Sequence, residues 1–176
     1  MFETTLCIPI VGDPPQQVLL GLKREGFGVG KLTAFGGKVE PGETLAQAAV
    51  RELQEETGLR AREQDLWQLG ELTFVFPYRP HWSQRVHVFT VTHWQNQPRS
   101  SRETTPAWYR VAEIPYGQMW QDAATWLPRI LAGKPIRARF TFSDDNDSLA
   151  QVELLTWPGR SAAAEPAASR DWEASS

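Results

Sequence analysis

A short stretch, residues 44–58, constrains this chain most, because it carries every signal of one amphipathic helix. Thr44 and Gln47 have the spacing of a capping box, in which each side chain binds the backbone of the other residue at the start of a helix. Leucines and alanines recur at helical spacing, which predicts one buried face. Gly58 is typical of the position just past the end of a helix. The segment therefore predicts a helix over 44–57.

Three glutamates lie on one side of this helix and form what we call the glutamate ridge: Glu52, Glu55 and Glu56. Residues three and four apart are neighbours on a helix, and like charges at that spacing repel. A divalent cation removes the repulsion, and carboxylate oxygens are hard ligands that suit Mg²⁺ or Mn²⁺. Mg²⁺ typically binds one or two carboxylates together with substrate phosphates. The ridge therefore predicts phosphate chemistry, although a solvated acidic helix face would show the same pattern.

Two features next to the ridge favour the metal hypothesis. Arg51 precedes the ridge, and its planar guanidinium can hold a carboxylate in a fixed orientation. Gly36 and Gly37 end a predicted strand, where the missing side chains let the backbone approach a metal ion or a phosphate closely.

The rest of the chain alternates between strand and turn signals within one domain, 1–157. Strands are predicted over 4–11, 17–23, 66–76, 85–94, 107–111, 137–142 and 151–156, and a second helix over 125–132. Pro9 lacks an amide hydrogen, which predicts that the first strand lies at an edge or carries a bulge. The polar segment 97–106 is predicted to be irregular. The final stretch, 158–176, is rich in Ala, Ser, Pro and charged residues, which predicts a disordered tail.

Composition excludes several classes of protein. A net charge of −3 lacks the basic excess of a nucleic-acid coat, and no apolar run approaches the ~20 residues of a membrane-spanning helix. The N-terminal residues lack the pattern of a signal peptide. Cys7 is the single cysteine, so no internal disulfide can form, which favours a reducing compartment. We therefore expect a cytoplasmic monomer that binds neither nucleic acid polymers nor membranes.

The glutamate ridge is part of a longer pattern of fixed positions. Gly37 is followed after five residues by Glu43, and after seven more by the run 51–59, which reads Arg-Glu-Leu-Gln-Glu-Glu-Thr-Gly-Leu. The pattern matches the Nudix box at every defined position, and the chain therefore resembles Nudix hydrolases. The resemblance implies an α+β fold, an αβα sandwich with a mixed β-sheet, in which the box forms a loop–helix–loop.

The same resemblance implies a chemistry. Nudix hydrolases cleave a nucleoside diphosphate linked to another group, and they use Mg²⁺, for which Mn²⁺ is a possible substitute. By motif position, the implied metal ligands are Glu52, Glu55, Glu56 and the backbone carbonyl of Gly37. Water attack needs a general base, and the two candidates are Glu56 and Glu103, with Arg51 holding the ridge in place.

Further matches outside the box resemble the MutT-like branch of the family in animals, which hydrolyses oxidised purine nucleoside triphosphates such as 8-oxo-dGTP. The matching stretches are 18–38, 86–89, 114–122 and 126–128. This resemblance implies that a nucleoside triphosphate is cleaved to a nucleoside monophosphate and pyrophosphate, which removes damaged nucleotides from the precursor pool.

The branch resemblance also implies roles for the pocket residues. Trp120 would stack on the purine, and Asp122 would hydrogen-bond its edge. The other implied pocket residues are Lys23 at the phosphate end and Phe27, Thr33 and Phe74 around the base. We expect the base to lie between Trp120 and the loop that carries Phe27. Plainer roles are open at this point, because a tryptophan is often a core residue and Asp122 could simply cap the helix that follows it.

Two positions depart from the branch pattern. Thr33 stands where the branch has asparagine, and its hydroxyl replaces an amide that can both donate and accept. Ala123 stands where the branch has a second aspartate, which beside Asp122 could share a proton and read different purine tautomers. The base preference, between 8-oxoguanine and a modified adenine, therefore stays open.

Three alternatives to this function remain at the level of sequence. The first is a Nudix hydrolase of another nucleotide, such as ADP-ribose, a dinucleoside polyphosphate or a modified dATP. The second is a nucleotide sensor that keeps the fold without catalysis, although such proteins usually lose carboxylates of the box. The third is a scaffold or interaction domain, for which the tail is the only support.

Overall fold

The computed structural model describes residues 1–158, so the predicted tail lies outside the described residues from residue 159 onward. The strands are β1 (Phe2–Val11), β2 (Gln17–Lys23), β3 (Leu32–Thr33), β4 (Phe35–Lys38), β5 (Leu66–Val75), β6 (Gln84–Val91), β7 (Thr104–Arg110), β8 (Ile136–Phe142) and β9 (Leu149–Leu155). The helices are α1 (Leu45–Thr57) and α2 (Ala123–Leu131), and single 3₁₀ turns cover Glu63–Asp65, Pro80–Trp82, Val111–Glu113 and Tyr116–Gln118.

The central sheet is mixed, with the order β4-β1-β6-β5-β8-β9. The β1–β6 and β5–β8 pairs are parallel, and the other pairs are antiparallel. The end of β1 leaves this sheet and pairs with β2, which carries β3 and β7 as its other neighbours. The two sheets therefore meet along β1, and the opening between them lies beside β2 and β4.

The two helices cover opposite faces of the sheet. Side chains alternate along β1, so that Cys7 packs in one apolar cluster with Leu53 of α1, whereas Ile8 packs in the other cluster with Leu127 of α2. All four side chains are fully buried. Residues two apart on a strand face the same side, and the two clusters are therefore separate layers. This arrangement confirms the predicted α+β sandwich with a mixed sheet.

The helix predicted from residues 44–58 is α1. The capping box is present: the amide of Gln47 donates to the Thr44 hydroxyl oxygen, and the Gln47 side chain accepts from the Thr44 amide. The helix ends at Gly58, whose amide donates to the carbonyl of Gln54. These local bonds fix where α1 starts and stops, and they place the glutamate ridge on its final turns.

The edge position predicted for Pro9 is wrong, because β1 lies between β4 and β6 in the centre of the sheet. On the side away from β6, residues 4–7 of β1 pair with β4 and residues 10–11 pair with β2. Pro9 lies in the gap between these two pairings. Its missing amide hydrogen therefore removes no ladder bond on that side, which is why a proline is tolerated in a central strand.

The irregular segment predicted over 97–106 extends too far, since β7 begins at Thr104. The first residues of β7 are polar, so an alternation of hydrophobic and polar residues does not indicate a strand there. They are strand because they pair with β2, in the register Thr104 with Lys23 and Pro106 with Gly21. The other strands and α2 differ from the predictions by a few residues at their ends. Among the described residues, neither helix is both long and apolar enough to cross a membrane.

Candidate active site

One cavity of about 210 Å³ brings together residues that lie far apart in the sequence. It extends from the ends of β2 and β4 to the start of α2. Eight of the residues that the sequence singled out line it: Lys23, Phe27, Thr33, Gly37, Glu56, Phe74, Trp120 and Asp122. The cavity has an acidic end at the glutamate ridge and an aromatic end at the start of α2. These eight residues are therefore gathered in one place, whereas Arg51, Glu52, Glu55 and Glu103 are not among the residues that line the cavity.

At the acidic end, the backbone of Gly37 lies directly against the ridge. A Cβ atom at this position would come within 2.5 Å of Oε1 of Glu52, which is too close for any non-bonded contact. The absence of a side chain therefore leaves the strand backbone beside a carboxylate. Burial raises the pKa of Glu52 above its ordinary value, although Arg51 opposes this shift.

Arg51 binds several oxygens of the acidic end at once. Its Nε and one terminal nitrogen form a bidentate pair with Glu43, at 2.7 and 3.0 Å. The same terminal nitrogen donates to the carbonyl of Lys38, and the other donates to Glu52 at 2.9 Å and to Glu55 at 3.3 Å. The hydrogen bonds from Arg51 lower the pKa of Glu43 to about 2. Arg51 therefore joins the loop before α1, the end of β4 and the ridge into one rigid unit.

Glu56 is the most deeply buried member of the ridge, with 4% of its side chain exposed. Its Oε1 lies 3.6 Å from Nζ of Lys23, which also lies 3.5 Å from Oε2 of Glu103. Burial raises the pKa of Glu56 to about 8; Lys23 opposes the rise, whereas the charges of Glu52 and Glu103 add to it. Both candidates for the general base therefore form an ion pair with the same lysine, Lys23. Because its pKa is raised, Glu56 binds a proton more tightly than an ordinary carboxyl group does.

At the aromatic end, the ring of Trp120 is packed against Phe27. The two ring centroids lie 5.4 Å apart with planes at 14° to each other, which is a stacked pair. Phe76 and Phe142 contact Trp120 at steep angles. Two rings stacked at this separation leave no space for a third between them. A purine can therefore lie between Trp120 and Phe27, as the sequence predicts, only after the loop of Phe27 moves away.

Asp122 lies at the floor of the aromatic end and is 3% exposed. It occupies the position before α2, but its side chain makes no capping bond. Instead, its Oδ2 accepts a hydrogen bond of 2.6 Å from the indole nitrogen of Trp126. Burial raises the pKa of Asp122 to about 6. The plainer role as a helix cap is therefore wrong, and a buried carboxyl with a free oxygen faces the cavity.

Sequence comparison extends the match well beyond the box. A model of the NUDIX domain matches residues 2–130. The chain belongs to the Nudix family. The match begins in β1 and ends in α2, so it includes both ends of the cavity, and the protein is a Nudix hydrolase by this membership.

Two curated Nudix relatives match most of the chain. The oxidized purine nucleoside triphosphate hydrolase of Mus musculus is 39% identical over 135 residues, which cover 77% of this chain and 85% of that protein. The protein of the same name in Danio rerio is 39% identical over 142 residues, which cover 81% and 89%. The crystal structure of the MutT protein of Bacillus halodurans has a TM-score of 0.76 at 23% identity and covers 90% of this chain and 100% of that one. That last likeness shows the Nudix fold alone.

Nudix hydrolases generally use a divalent metal ion, and the donor set at the acidic end fits one. Carboxylate and carbonyl oxygens are the ligands of hard cations, and the backbone of Gly37 lies beside the carboxylate of Glu52. Within residues 1–158, no three acidic, histidine or cysteine side chains are already gathered round one point. Arg51 pairs with Glu52 and Glu55, and Lys23 pairs with Glu56.

Burial of Glu56 has a measurable consequence for the metal-free Nudix domain. Because Glu56 binds its proton more tightly in the folded protein than in the unfolded chain, its own contribution to stability is largest below pH 4.5 and is lost as the pH rises through about 8. We expect Glu56→Gln to remove this contribution. The difference between the Tm of the variant and the Tm of the wild type should therefore increase in favour of the variant as the pH rises from 4.5 to about 8. Thermal melts in EDTA test this, and parallel curves for the two proteins would contradict it.

Several residues of the Nudix site gave no usable signal in the sequence alone. Glu43 appeared only as a position of the box, although it is the bidentate partner of Arg51. Phe76 and Phe142 looked like ordinary strand residues, since apolar residues are expected there in any sheet. Only the packing of β5 and β8 beside α2 shows that both contact Trp120. Ala123 does line the cavity, where the sequence placed its missing carboxylate.

Proposed function

We propose that this Nudix hydrolase cleaves oxidised purine nucleoside triphosphates, such as 8-oxo-dGTP, to the nucleoside monophosphate and pyrophosphate with Mg²⁺. One observation carries the proposal: a single cavity joins an acidic end, built from Gly37 and Glu56, to an aromatic end with one buried carboxyl, Asp122. The first end suits a cation and phosphates, and the second suits a flat polar base. Two relatives at 39% identity are named for this activity.

The acidic end would orient the triphosphate and the attacking water. We assign the metal ligands to the glutamate ridge and the carbonyl of Gly37, where Mg²⁺, or Mn²⁺ in its place, would neutralise phosphate charge and make a bound water more acidic. Arg51 keeps the ridge in position. Glu56 or Glu103 would accept the proton of the water, and Lys23 would favour the ionised form of whichever carboxylate does so.

The aromatic end would select the base. Trp120 would give a flat surface for stacking after Phe27, which is stacked on it, moves away, and Phe74 also lines the pocket. Asp122 is buried and accepts from Trp126 with one oxygen only, so its other oxygen would bond the edge of the purine. Thr33 would add a hydroxyl group to the lining of the base pocket. Because Ala123 brings no second carboxyl, the charge of Asp122 alone would decide which donor and acceptor pattern is read.

A substrate panel tests the proposed function. The nucleotide products are separated and quantified after incubation with 8-oxo-dGTP, dGTP, a modified dATP, dATP, ADP-ribose and a dinucleoside polyphosphate, all at one concentration of Mg²⁺. We expect the highest kcat/KM for an oxidised purine triphosphate. A higher value for ADP-ribose or a dinucleoside polyphosphate would replace the proposal by another Nudix substrate. Tight nucleotide binding without hydrolysis would indicate a sensor.

The role of Asp122 predicts that base preference changes with pH. Above its pKa of about 6, the carboxylate accepts bonds from the two donors on the edge of 8-oxoguanine. Below that pH, the protonated carboxyl can donate to the ring nitrogen of an adenine and accept from its amino group. We therefore expect the ratio of kcat/KM for 8-oxo-dGTP to that for a modified dATP to rise with pH through about 6.

The matched variant for this experiment is Asp122→Asn, which keeps an oxygen for Trp126 but cannot titrate. We expect its ratio to be independent of pH and the preference for 8-oxo-dGTP to fall by roughly 10-fold, the effect of one charged hydrogen bond. Asp13→Asn, in an exposed turn between β1 and β2, serves as the control. If Asp122→Asn keeps the pH dependence of the wild type, Asp122 does not read the base.

The cellular setting is part of the proposal. A hydrolase of damaged DNA precursors acts on small nucleotides, so neither a nucleic acid polymer nor a membrane is needed as a partner. We propose a cytoplasmic monomer, which light scattering and imaging of the tagged full chain would test.

A further inference from the structure

The ring of Trp120 is contacted by a cation as well as by other rings. Trp120 lies in an irregular segment between a 3₁₀ turn and α2, so no regular element fixes its position. Nζ of Lys31, at the end of the loop that carries Phe27, lies 5.0 Å from the centroid of the indole ring. A cation at this distance is attracted by the negative face of an indole. Lys31, in the segment between β2 and β3, therefore attracts the indole ring of Trp120 through a cation–π contact.

Lys31 is itself held by the turn between β8 and β9. Its Nζ lies 2.5 Å from Oδ1 of Asp147. Asp147 does not project from a loose loop, because Oδ1 of Asp145 accepts hydrogen bonds from the amides of both Asp147 and Ser148. The Ser148 hydroxyl also donates to the other oxygen of Asp145. The backbone of the turn at Asp147 is therefore held in a defined conformation.

The same turn is fastened to the segment of Trp120 at a second point. The amide of Leu149, the first residue of β9, donates to Oε1 of Gln121 at 2.9 Å. Gln121 directly follows Trp120 in the chain. The β8–β9 turn therefore contacts the platform segment through one backbone amide and reaches the indole ring through the Lys31–Asp147 pair. The Lys31–Asp147 pair lies beyond the ends of β8 and β9, and the bond to Gln121 uses the amide of the first residue of β9.

We propose that Lys31 and Asp147 are a positioning pair for Trp120, which orders the indole ring before a base stacks on it. The proposal rests on the proposed function, because it takes Trp120 as the surface that binds the base. Lys31 touches neither the reacting phosphates nor the metal ligands in this arrangement. Its loss should therefore weaken binding of the base and leave the chemical step unchanged.

The first experiment compares KM and kcat for Lys31→Met, Asp147→Asn and the double variant, with 8-oxo-dGTP as substrate. We expect Lys31→Met to raise KM by about two- to fivefold with kcat unchanged, which is the scale of a partly exposed cation–π contact. The double variant should be no worse than Lys31→Met alone, because Asp147 acts through Lys31. Lys31→Arg should restore the KM of the wild type, and Lys134→Met, an exposed lysine beyond α2, is the matched control.

A second substrate analogue separates platform positioning from a contact with phosphate. A deoxyribose triphosphate without a base should inhibit the wild type and Lys31→Met with the same inhibition constant. A weaker inhibition of Lys31→Met would mean that Lys31 binds phosphate, which would overturn the proposal. Since Lys31 also favours the ionised form of Asp122, all constants are measured well above pH 6.

Hydrogen exchange gives a readout that does not depend on activity. We expect the amide of Leu149 to exchange faster in Lys31→Met and Asp147→Asn than in the wild type, because the turn loses one of its two attachments. If the wild type hydrolyses no purine triphosphate but this acceleration is seen, the proposed function fails and the structural link stands. Unchanged exchange together with an unchanged KM would overturn the positioning pair while leaving the proposed function intact.

Discussion

Glu56→Gln should reduce kcat for 8-oxo-dGTP by roughly 10²–10⁴-fold, the range for loss of a positioned acid–base group. Glu56 is the buried end of the ridge, lies 3.6 Å from Nζ of Lys23 and lines the cavity at its acidic end. Glutamine has the same shape but can neither accept the proton of a water nor bind a cation with full charge. The measurement is steady-state release of pyrophosphate with Mg²⁺ in excess.

Two controls make this result specific. Because burial already favours the neutral form of Glu56, the glutamine variant should fold at least as stably as the wild type in EDTA. Loss of activity therefore cannot be assigned to unfolding. Glu153→Gln, which removes an exposed partner of Arg139, should keep full activity. If Glu56→Gln keeps near wild-type turnover, Glu56 has no part in the reaction and Glu103 becomes the remaining candidate for the base.

Arg51→Met should produce the second large effect. Arg51 holds Glu43, Glu52 and Glu55 and the carbonyl of Lys38, so its removal leaves the ridge without a fixed arrangement. Residues that orient metal ligands typically account for about 10–100-fold in metal affinity or activity. We therefore expect kcat/KM to fall by this factor and the concentration of Mg²⁺ at half-maximal rate to rise.

Arg62→Met is the matched control for this change. Arg62 also forms a salt bridge with a carboxylate, Asp65, but it is exposed and does not line the cavity. An exposed pair of this kind contributes little to stability, and we expect no change in rate. A loss of rate in Arg51→Met without any change in the dependence on Mg²⁺ would mean that Arg51 does not act through the metal ligands.

The sequence predicts helix α1 so well because the determinants of this helix are local. Thr44, Gln47 and Gly58 each act within one turn of their own position. Pro9 and the start of β7 could not be predicted in the same way, because both depend on which strands lie alongside. Pro9 and the polar first residues of β7 belong to strands only because strands distant in the chain pair with the segments that contain them.

The same distinction holds for the site. The ridge and Gly37 are predicted from a motif of fixed spacing, and in the structure Gly37 lies beside the carboxylate of Glu52. The stack of Phe27 on Trp120 could not be read from the sequence, because a glycine-flanked loop has many conformations. Gly28 is one example: its φ of 80° favours glycine, and its backbone lies beside the indole nitrogen of Trp120. Contacts of this kind can be identified only in the folded protein.

The most direct test of the account is the position of a divalent cation in crystals of the protein soaked with Mn²⁺ and a non-hydrolysable purine nucleotide. Anomalous scattering would locate the ion without relying on its coordination. We predict a peak between Glu52, Glu56 and the carbonyl of Gly37, with phosphate oxygens completing the shell and the base on Trp120. An ion bound elsewhere, with these carboxylates still held by Arg51 and Lys23, would contradict the account.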